Sequence, residues 1–393
     1  MLCHAQFADA VDDEKPSGPG RALFLSRERK LLPMDSIRSR SAAAVLALIG
    51  VVAVSGRVRG HVDYVRDGEG GVVPLVRLFV EALSDPINLA VFAAGGLGAV
   101  GVVVGYLALR PRIRDIDVLR ETLTGYRDLV PWMLRLALGL PLVGAGFAGY
   151  FFSPVVQVEM RLFQVAIGFL LLFGLATRFV AAVGLLAYFV GLAFEPGLVL
   201  ALEYIPGLVA IVLLGGGRPS ADHMLQQVAS AEGTLYGRID PVHEIAAWFA
   251  DRVEPYERYV PTVLRVGMGA SFVYLGGVQK LLQAGEALVV VEQYDLVALL
   301  PITAEAWVVA AGATELLLGV ALLLGVFTRG AAALSFLMFT LTLFALADDP
   351  VLAHIPLFGL VSAIFTLGGG PLALDSRLGA AVPDRFSPTT AAD

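Results

Sequence analysis

Residues 261–280 read PTVLRVGMGASFVYLGGVQK, and residues 131–150 read PWMLRLALGLPLVGAGFAGY. Each stretch is predominantly apolar and about as long as a helix that spans a bilayer, roughly 20 residues. The identities at an offset of 130 are Tyr126, Val130, Pro131, Leu134, Arg135, Gly139 and Gly146 with Tyr256, Val260, Pro261, Leu264, Arg265, Gly269 and Gly276. Seven identities at one offset indicate an internal repeat built on membrane helices.

The overall composition also places the chain in a bilayer. It has 393 residues, of which 57% are hydrophobic and 16% charged, and its mean hydropathy is +0.76. These values are far too apolar for an ordinary soluble domain. The net charge is −7, and the lysines are Lys15, Lys30 and Lys280, so arginine carries most of the positive charge. An acidic chain of this kind argues against nucleic acid as a partner.

The cysteine and histidine contents exclude several kinds of redox centre. Cys3 is the single cysteine, so the chain cannot form a CxxC pair. Of the five histidines, His354 alone falls inside an apolar run. A bis-histidine haem or a histidine-rich metal site within the membrane would therefore lack ligands. No cofactor motif is evident in the chain.

Apolar runs predict an all-α polytopic membrane protein of about ten transmembrane helices. They are expected near 42–56, 88–109, 132–152, 158–177, 179–195, 198–214, 261–280, 307–327, 330–347 and 351–367. The segment Val73–Leu83 is amphipathic, which is typical of a helix at the membrane surface. The first helix, flanked by arginines, is interpreted either as a signal anchor or as a cleaved signal peptide.

The repeat divides the chain into two four-helix units. After the first helices the offset becomes 151, because Gly168, Gly174, Thr177 and Arg178 match Gly319, Gly325, Thr328 and Arg329. An even number of helices per unit gives both units the same orientation, so we expect parallel repeats related by an axis near the membrane normal. The expected divisions are a disordered tail 1–33 with Met34 as an alternative start, an N-terminal membrane segment 34–115, repeat 1 at 126–224, a cytoplasmic linker 225–255, repeat 2 at 256–377 and a disordered tail 378–393.

Arginine placement predicts the orientation of a multi-pass protein in the cell membrane. The segments 110–131 and 215–260 and the tight turns at Arg178 and Arg329 carry arginines, whereas the loops between them on the other side carry acidic residues. By the positive-inside rule, both termini are expected in the cytoplasm. Arg178 and Arg329 are interpreted as binding lipid phosphate or capping helix ends.

Repeat 2 resembles the DoxX/DoxD family of membrane proteins. The residues that carry the resemblance are Leu264, Arg265, Gly269, Phe272, Gly276, Gln279, Lys280, Glu315, Gly319, Leu323, Gly325, Thr328, Arg329, Gly368, Gly369, Gly370, Leu374 and Asp375. The resemblance covers 256–377 well and 126–224 more weakly. It implies a four-helix membrane unit, found with thiosulfate:quinone oxidoreductases and in superoxide dismutase and sulfurtransferase assemblies.

Repeat 2 also contains the candidate polar site. Lys280 is the one lysine outside the N-terminal tail, and Glu315 lies eight residues into its expected helix. A lone carboxylate at that depth is costly, so we expect Glu315 to pair with Lys280, with Arg265 and His354 as further candidates. The pair is interpreted either as a structural link between helices or as a quinone or proton-relay site. Repeat 1 has Arg135, Tyr150, Gln164 and Tyr204 at the equivalent positions.

The surroundings of this site are also predictable. Arg265, Gly269, Gly276 and Lys280 recur at helical spacing and should form one stripe that packs, with Gly319, against the helix of Glu315. The inserted segment 281–306 is apolar but acidic, and it is interpreted as an interfacial helix or a lid over the outer end of repeat 2. Repeat 1 should lack a matching pocket, since Tyr150 and Gln164 are neutral.

Three functions remain open at this point. The first is a non-haem membrane subunit or anchor of a quinone, sulfur or oxidative-stress complex, with a soluble partner of the sulfurtransferase or superoxide dismutase type. The second is a transporter of a small solute or of protons. The third is an assembly factor without catalysis. The chain has no autonomous catalytic motif, so any enzymatic role would be that of a subunit.

Overall fold

The structure is a computed structural model that describes residues 71–109, 113–158, 161–236, 242–298, 300–346 and 349–376. The helix expected near 42–56, the tails 1–33 and 378–393 and the alternative start at Met34 lie outside these residues. The described α-helices are, in chain order, α1 (Leu75–Ser84), α2 (Pro86–Leu109), α3 (Arg114–Gly125), α4 (Val130–Ala148), α5 (Arg161–Phe173), α6 (Thr177–Phe194), α7 (Tyr204–Leu214), α8 (Ala221–Ser230), α9 (Val242–Glu257), α10 (Val260–Val273), α11 (Ala284–Gln293), α12 (Ala304–Leu324), α13 (Thr328–Ala345) and α14 (Val351–Leu367).

Shorter elements connect these helices. They are 3₁₀ turns at Arg127–Leu129 and Pro196–Ala201, a π-helical turn at Tyr274–Leu282 and a hairpin of β1 (Tyr150–Phe151) and β2 (Ser153–Gln157). The π-helical turn follows α10 without a break, so the chain stays helical from Val260 to Leu282. The described residues are therefore almost wholly helical, as the apolar runs predict, with the hairpin as a local exception.

The hairpin corrects the expected helix near 132–152. α4 ends at Ala148 because Gly149 adopts a left-handed conformation, with φ 88°, and its N–H bonds the carbonyls of Ala145 and Gly146. Phe152 also has a positive φ, 59°, which turns the chain back into β2. Tyr150 therefore lies in a strand and not on a helix face, so it is not a structural counterpart of Lys280.

Four described helices are long and apolar enough to cross a membrane. They are the Arg127–Ala148, Thr177–Phe194, Ala304–Leu324 and Thr328–Ala345 segments. A fifth span is formed if the bent pair of α1 and α2, whose axes differ by 95°, is taken as one crossing. The apolar helices α5, α7 and α14 are shorter. The chain is thus a membrane protein by composition and helix length, whereas the total of about ten spans stays a prediction.

The two halves of the described chain share one hydrophobic core. α4 packs against α5, and α10 packs against α12. Contacts also join the two halves: α4 of the first half contacts α14 of the second, and α7 of the first half contacts α10 of the second. Gly359 of α14 lies so close to Ala137 of α4 that a side chain at this glycine would collide with it. The core is therefore continuous across both halves.

A second, smaller core joins the N-terminal helices to the second half. Leu78 and Ala82 of α1 are fully buried against α11 and the first turns of α12. The side-chain amide of Asn88 donates to the hydroxyl of Thr303 at 3.1 Å, and its carbonyl accepts from the N–H of Thr303 at the same distance. Thr303 is the N-cap of α12. This contact fixes the bend between α1 and α2 at the start of the helix that carries Glu315.

Candidate functional site

The polar site lies where the π-helical turn meets α12. Nζ of Lys280 is 2.7 Å from both carboxylate oxygens of Glu315. The Glu315 residue is 9% exposed, and the Lys280 side chain keeps 26% of its surface exposed. The pair that the sequence predicts is therefore present. A π-helical turn is uncommon and often occurs at functional sites, since it shifts side chains relative to an ordinary helix.

Glycines bring the two helices close enough for this ion pair to form. A Cβ atom at Gly269 would lie 2.8 Å from the carbonyl oxygen of Gly319. A Cβ atom at Gly276 would lie 2.6 Å from the carbonyl oxygen of Gly312 and 2.8 Å from Cβ of Glu315. Neither position has room for a side chain. The structure places the glycines of the predicted packing stripe, and both of its charged ends, in contact with α12.

A second ionisable pair lies beside the first. Nε2 of His354, on the first turn of α14, is 3.4 Å from Oδ2 of Asp349, and both side chains are 4% exposed. The charge of Lys280 acts on both residues. Burial raises the pKa of Asp349 to about 7, while Lys280 acts in the opposite direction. Asp349 thus holds a carboxyl group that gains or loses a proton near neutral pH.

Aromatic rings line the same region. The rings of Phe272 and Phe339 are stacked at 5.4 Å between centroids, and Phe339 meets the imidazole of His354 edge-on at 6.2 Å. We define the outer cluster as Lys280, Glu315, Asp349 and His354. It combines a lysine, a histidine and two carboxyl groups with buried aromatic rings, which is the chemistry of a site for a planar polar ring.

Sequence analysis missed the role of two further residues in this region. Asp349 was grouped with the other acidic residues of the loops, because a single sequence does not show that this carboxylate packs against His354 on the next helix. Gln279, next to Lys280, is 2% exposed, and its Nε2 donates to the hydroxyl of Tyr274 at 3.3 Å. Its Oε1 is buried and has no hydrogen-bond partner in the described part of the chain.

Arg265 does not belong to the outer cluster. It lies near the other end of α10, where its guanidinium donates to the carbonyls of Leu322, Leu323 and Gly369 at 2.9, 2.6 and 2.8 Å. Arg135 makes the equivalent bonds in the first half, to Leu171, Leu172, Gly216 and Pro219. Both arginines satisfy the free carbonyls at the end of a neighbouring helix. Arg265 is therefore a capping residue in this structure.

Other charged residues cap helices at this same end of the molecule, which we call the arginine end. Arg178 donates to the carbonyl of Leu213 at 2.9 Å, and Arg329 donates to those of Phe365 and Thr366 at 2.9 and 3.2 Å. Asp222 accepts from the N–H groups of Ala176 and Thr177, and Asp375 accepts from those of Phe327 and Thr328. The sequence left two interpretations of Arg178 and Arg329, as ligands of lipid phosphate or as caps of helix ends. In the structure both arginines cap helix ends.

The first half has no ion pair at the position of Lys280 and Glu315. Gln164 is 1% exposed; its Oε1 accepts from the N–H of Phe152 at 3.1 Å, and its Nε2 donates to the carbonyl of Leu142 at 3.3 Å. It therefore holds the hairpin against α4. Tyr204 is 2% exposed, and its ring packs edge-on against Phe152. The preceding residue, Glu203, is 5% exposed and was missed by the sequence analysis.

Comparison with known proteins identifies one domain. The family model described as DoxX matches residues 260–348, which include all of α10, α11, α12 and α13. No curated protein and no solved structure matches the chain. Within the described residues, no group of three His, Cys, Asp or Glu side chains could hold a metal ion.

Proposed function

We propose that this DoxX-family membrane protein is a non-haem membrane subunit of a redox complex, and that its outer cluster binds the headgroup of a quinone. The observation that carries the proposal is a group of four ionisable side chains beside stacked aromatic rings: Glu315, Asp349 and His354 are buried, and Lys280 is partly buried. Ionisable groups at membrane depth are costly, and a protein retains them where they bind or transfer something.

The chemistry of the cluster suits a quinone. A quinone headgroup is a flat ring with two carbonyl oxygens, and each carbonyl needs a hydrogen-bond donor. Lys280 has three N–H donors, of which its contacts with Glu315 use at most two. His354 lies on the neighbouring helix, with its Nε2 3.4 Å from Oδ2 of Asp349. Asp349, with its pKa of about 7, is suited to exchanging a proton when the quinone is reduced.

A binding experiment with paired variants tests this proposal. The full chain in lipid nanodiscs is titrated with a short-chain ubiquinone analogue, and the Kd is measured by calorimetry. The double variant Lys280→Met with Glu315→Gln removes both charges together, so no unpaired charge is left buried. We expect it to bind the analogue about 10 to 100 times more weakly, the effect of losing a hydrogen bond from a charged donor.

Tyr204→Phe is the control, because Tyr204 stands in the first half where His354 of the outer cluster stands in the second. It should bind the analogue as tightly as the wild type. If the double variant and the wild type have the same Kd, or if neither binds, the quinone proposal is wrong.

A second function, proton or solute transport, is favoured by the ion pair within membrane helices. The chain is reconstituted into liposomes that contain a pH-sensitive dye, and a proton gradient is applied. Flux that disappears in the Lys280→Met, Glu315→Gln variant would support transport. If the wild type shows neither flux nor quinone binding, the third function, an assembly factor without catalysis, would be favoured.

We also propose that the chain is a tandem parallel duplication, with units at 126–224 and 256–377 and both termini in the cytoplasm. The hydrogen bonds made by Arg135 and Arg265 support this, because each arginine caps the second helix of its own unit. The reciprocal contacts of α4 with α14 and of α10 with α7 are those expected of a two-fold relation. A soluble sulfurtransferase or superoxide dismutase is the kind of partner that would complete a redox complex.

A further inference from the structure

The helix α9 has an exposed apolar face. α9 covers the second part of the segment 225–255, which the sequence predicts to be a cytoplasmic linker. The exposed large apolar side chains described on it are Ile245, Trp248, Phe249 and Tyr256. The last three follow Ile245 by 3, 4 and 11 residues, which places all four on one side of an α-helix. An apolar face of this size indicates contact with another apolar surface.

The opposite side of α9 is acidic. It carries Glu244, Ala247, Asp251 and Glu254, which follow one another at spacings of 3, 4 and 3 residues. All four of these residues are exposed. α9 is therefore amphipathic, with carboxylates on one side and large apolar residues on the other. Such a helix is suited to the boundary between water and an apolar phase.

The end of α9 is held beside helices of the membrane body. α9 packs against α7, and Oε1 of its last residue, Glu257, is 3.5 Å from the guanidinium of Arg178. The same guanidinium donates to the carbonyl of Leu213 at the end of α7. Phe179, next to Arg178, is 71% exposed on α6, a helix long and apolar enough to cross a membrane. The surface that faces lipid therefore reaches the level at which α9 is attached.

The residue types on the apolar face of α9 favour lipid as its occupant. Tryptophan and tyrosine are enriched where a membrane meets water, because their rings are apolar and carry one polar group. Arg252 lies on the same side, with its guanidinium 5.6 Å from the centroid of the Trp248 ring. Arginine at such a position can bury its apolar stem and keep its charge among the headgroups. The acidic side, by contrast, requires water.

We propose that α9 lies at the membrane surface and that its apolar face binds lipid, with Trp248 at the level of the headgroups and the acidic side toward water. This proposal gives a lipid-binding role to part of the segment predicted as a linker. α9 is attached at the arginine end and shares no residue with the outer cluster. The proposal therefore does not depend on quinone binding.

Fluorescence quenching tests the position of Trp248. The tryptophans of the chain are Trp132, Trp248 and Trp307, so Trp132→Phe with Trp307→Phe leaves Trp248 alone. The full chain is reconstituted into phosphatidylcholine vesicles whose acyl chains carry bromine near the headgroup. A second sample has unlabelled lipid and iodide on both sides of the membrane. We expect the brominated lipid to quench most of the Trp248 emission and iodide to quench little of it.

The matched control moves the tryptophan by one residue. Ala247→Trp combined with Trp248→Phe, in the same background, places the single tryptophan on the acidic side of α9. Its emission should be quenched by iodide and not by the brominated lipid, because this side faces water. The contrast between the two positions is the expected signature of a helix that lies at the surface.

Three results would overturn the proposal. Quenching of Trp248 by iodide alone would show that the apolar face is open to water. Quenching by neither agent would show that protein covers it, either a second copy of the chain or another partner. Equal quenching of Trp248 and of the control tryptophan by the brominated lipid would show that the two sides do not differ.

Two further measurements keep the test decisive. If Trp132→Phe or Trp307→Phe prevents folding, the difference between the wild type and Trp248→Phe gives the emission of Trp248. Trp248→Phe should bind the quinone analogue at the outer cluster as the wild type does, so the two proposals fail independently.

Discussion

At the scale of single residues, Asp349 gives the molecule a pH dependence that can be measured. In the folded state its carboxyl group is buried next to His354 and near Lys280, and its pKa is about 7, whereas the ordinary value is 3.8. Between these pH values the folded state binds more protons than the unfolded state, so raising the pH lowers the free energy of unfolding. Asp349→Asn removes this contribution of the carboxyl group to the pH dependence of the free energy of unfolding. Thermal unfolding followed from about pH 4 to about pH 8 should show a weaker decline for the variant; parallel declines would contradict the assignment.

At the scale of elements, the close contact between the π-helical turn and α12 depends on one of two adjacent glycines, Gly276 and Gly277. Gly276→Ala places a methyl group 2.6 Å from the carbonyl oxygen of Gly312, so the helices must separate. We expect a loss of about 1–3 kcal/mol in the free energy of unfolding, the usual cost of overpacking. Gly277→Ala is the matched control, because its nearest neighbour, Cδ1 of Leu316, is at an ordinary 3.8 Å. Chemical denaturation of both variants measures the difference, and similar losses would argue against the packing role.

At the scale of the whole molecule, the shared core predicts that the two halves assemble with each other. α4 packs on α14 and α7 packs on α10, so each half exposes apolar surface when separated. Fragments 1–236 and 242–393 expressed together should therefore co-purify. Gly359→Leu, which collides with Ala137, should abolish co-purification. Gly330→Leu, whose Cβ meets only Phe327 at 4.0 Å, should not. Recovery of each fragment alone, with no complex, would show that the halves fold independently.

Much of the fold was predictable from local patterns in the sequence. Apolar runs locate the helices, because the cost of exposing a peptide group to lipid makes long apolar segments helical. Glycines at helical spacing identify the face of α10 that packs against α12. The pairing of Lys280 with Glu315 was also predictable, since an isolated charge within the membrane is too costly to leave alone.

Other features were decided by tertiary structure alone. Tyr150 shares its offset with Lys280, yet Gly149 ends the helix first and places the tyrosine in a hairpin. The ion pair of Arg178 with Glu257 joins residues that are 79 positions apart in the chain. The sequence by itself determined what each segment must bury, because hydropathy and helix spacing are local properties. Apart from Lys280 and Glu315, only the tertiary structure decided which charged residues meet, because that depends on how helices far apart in the chain pack together.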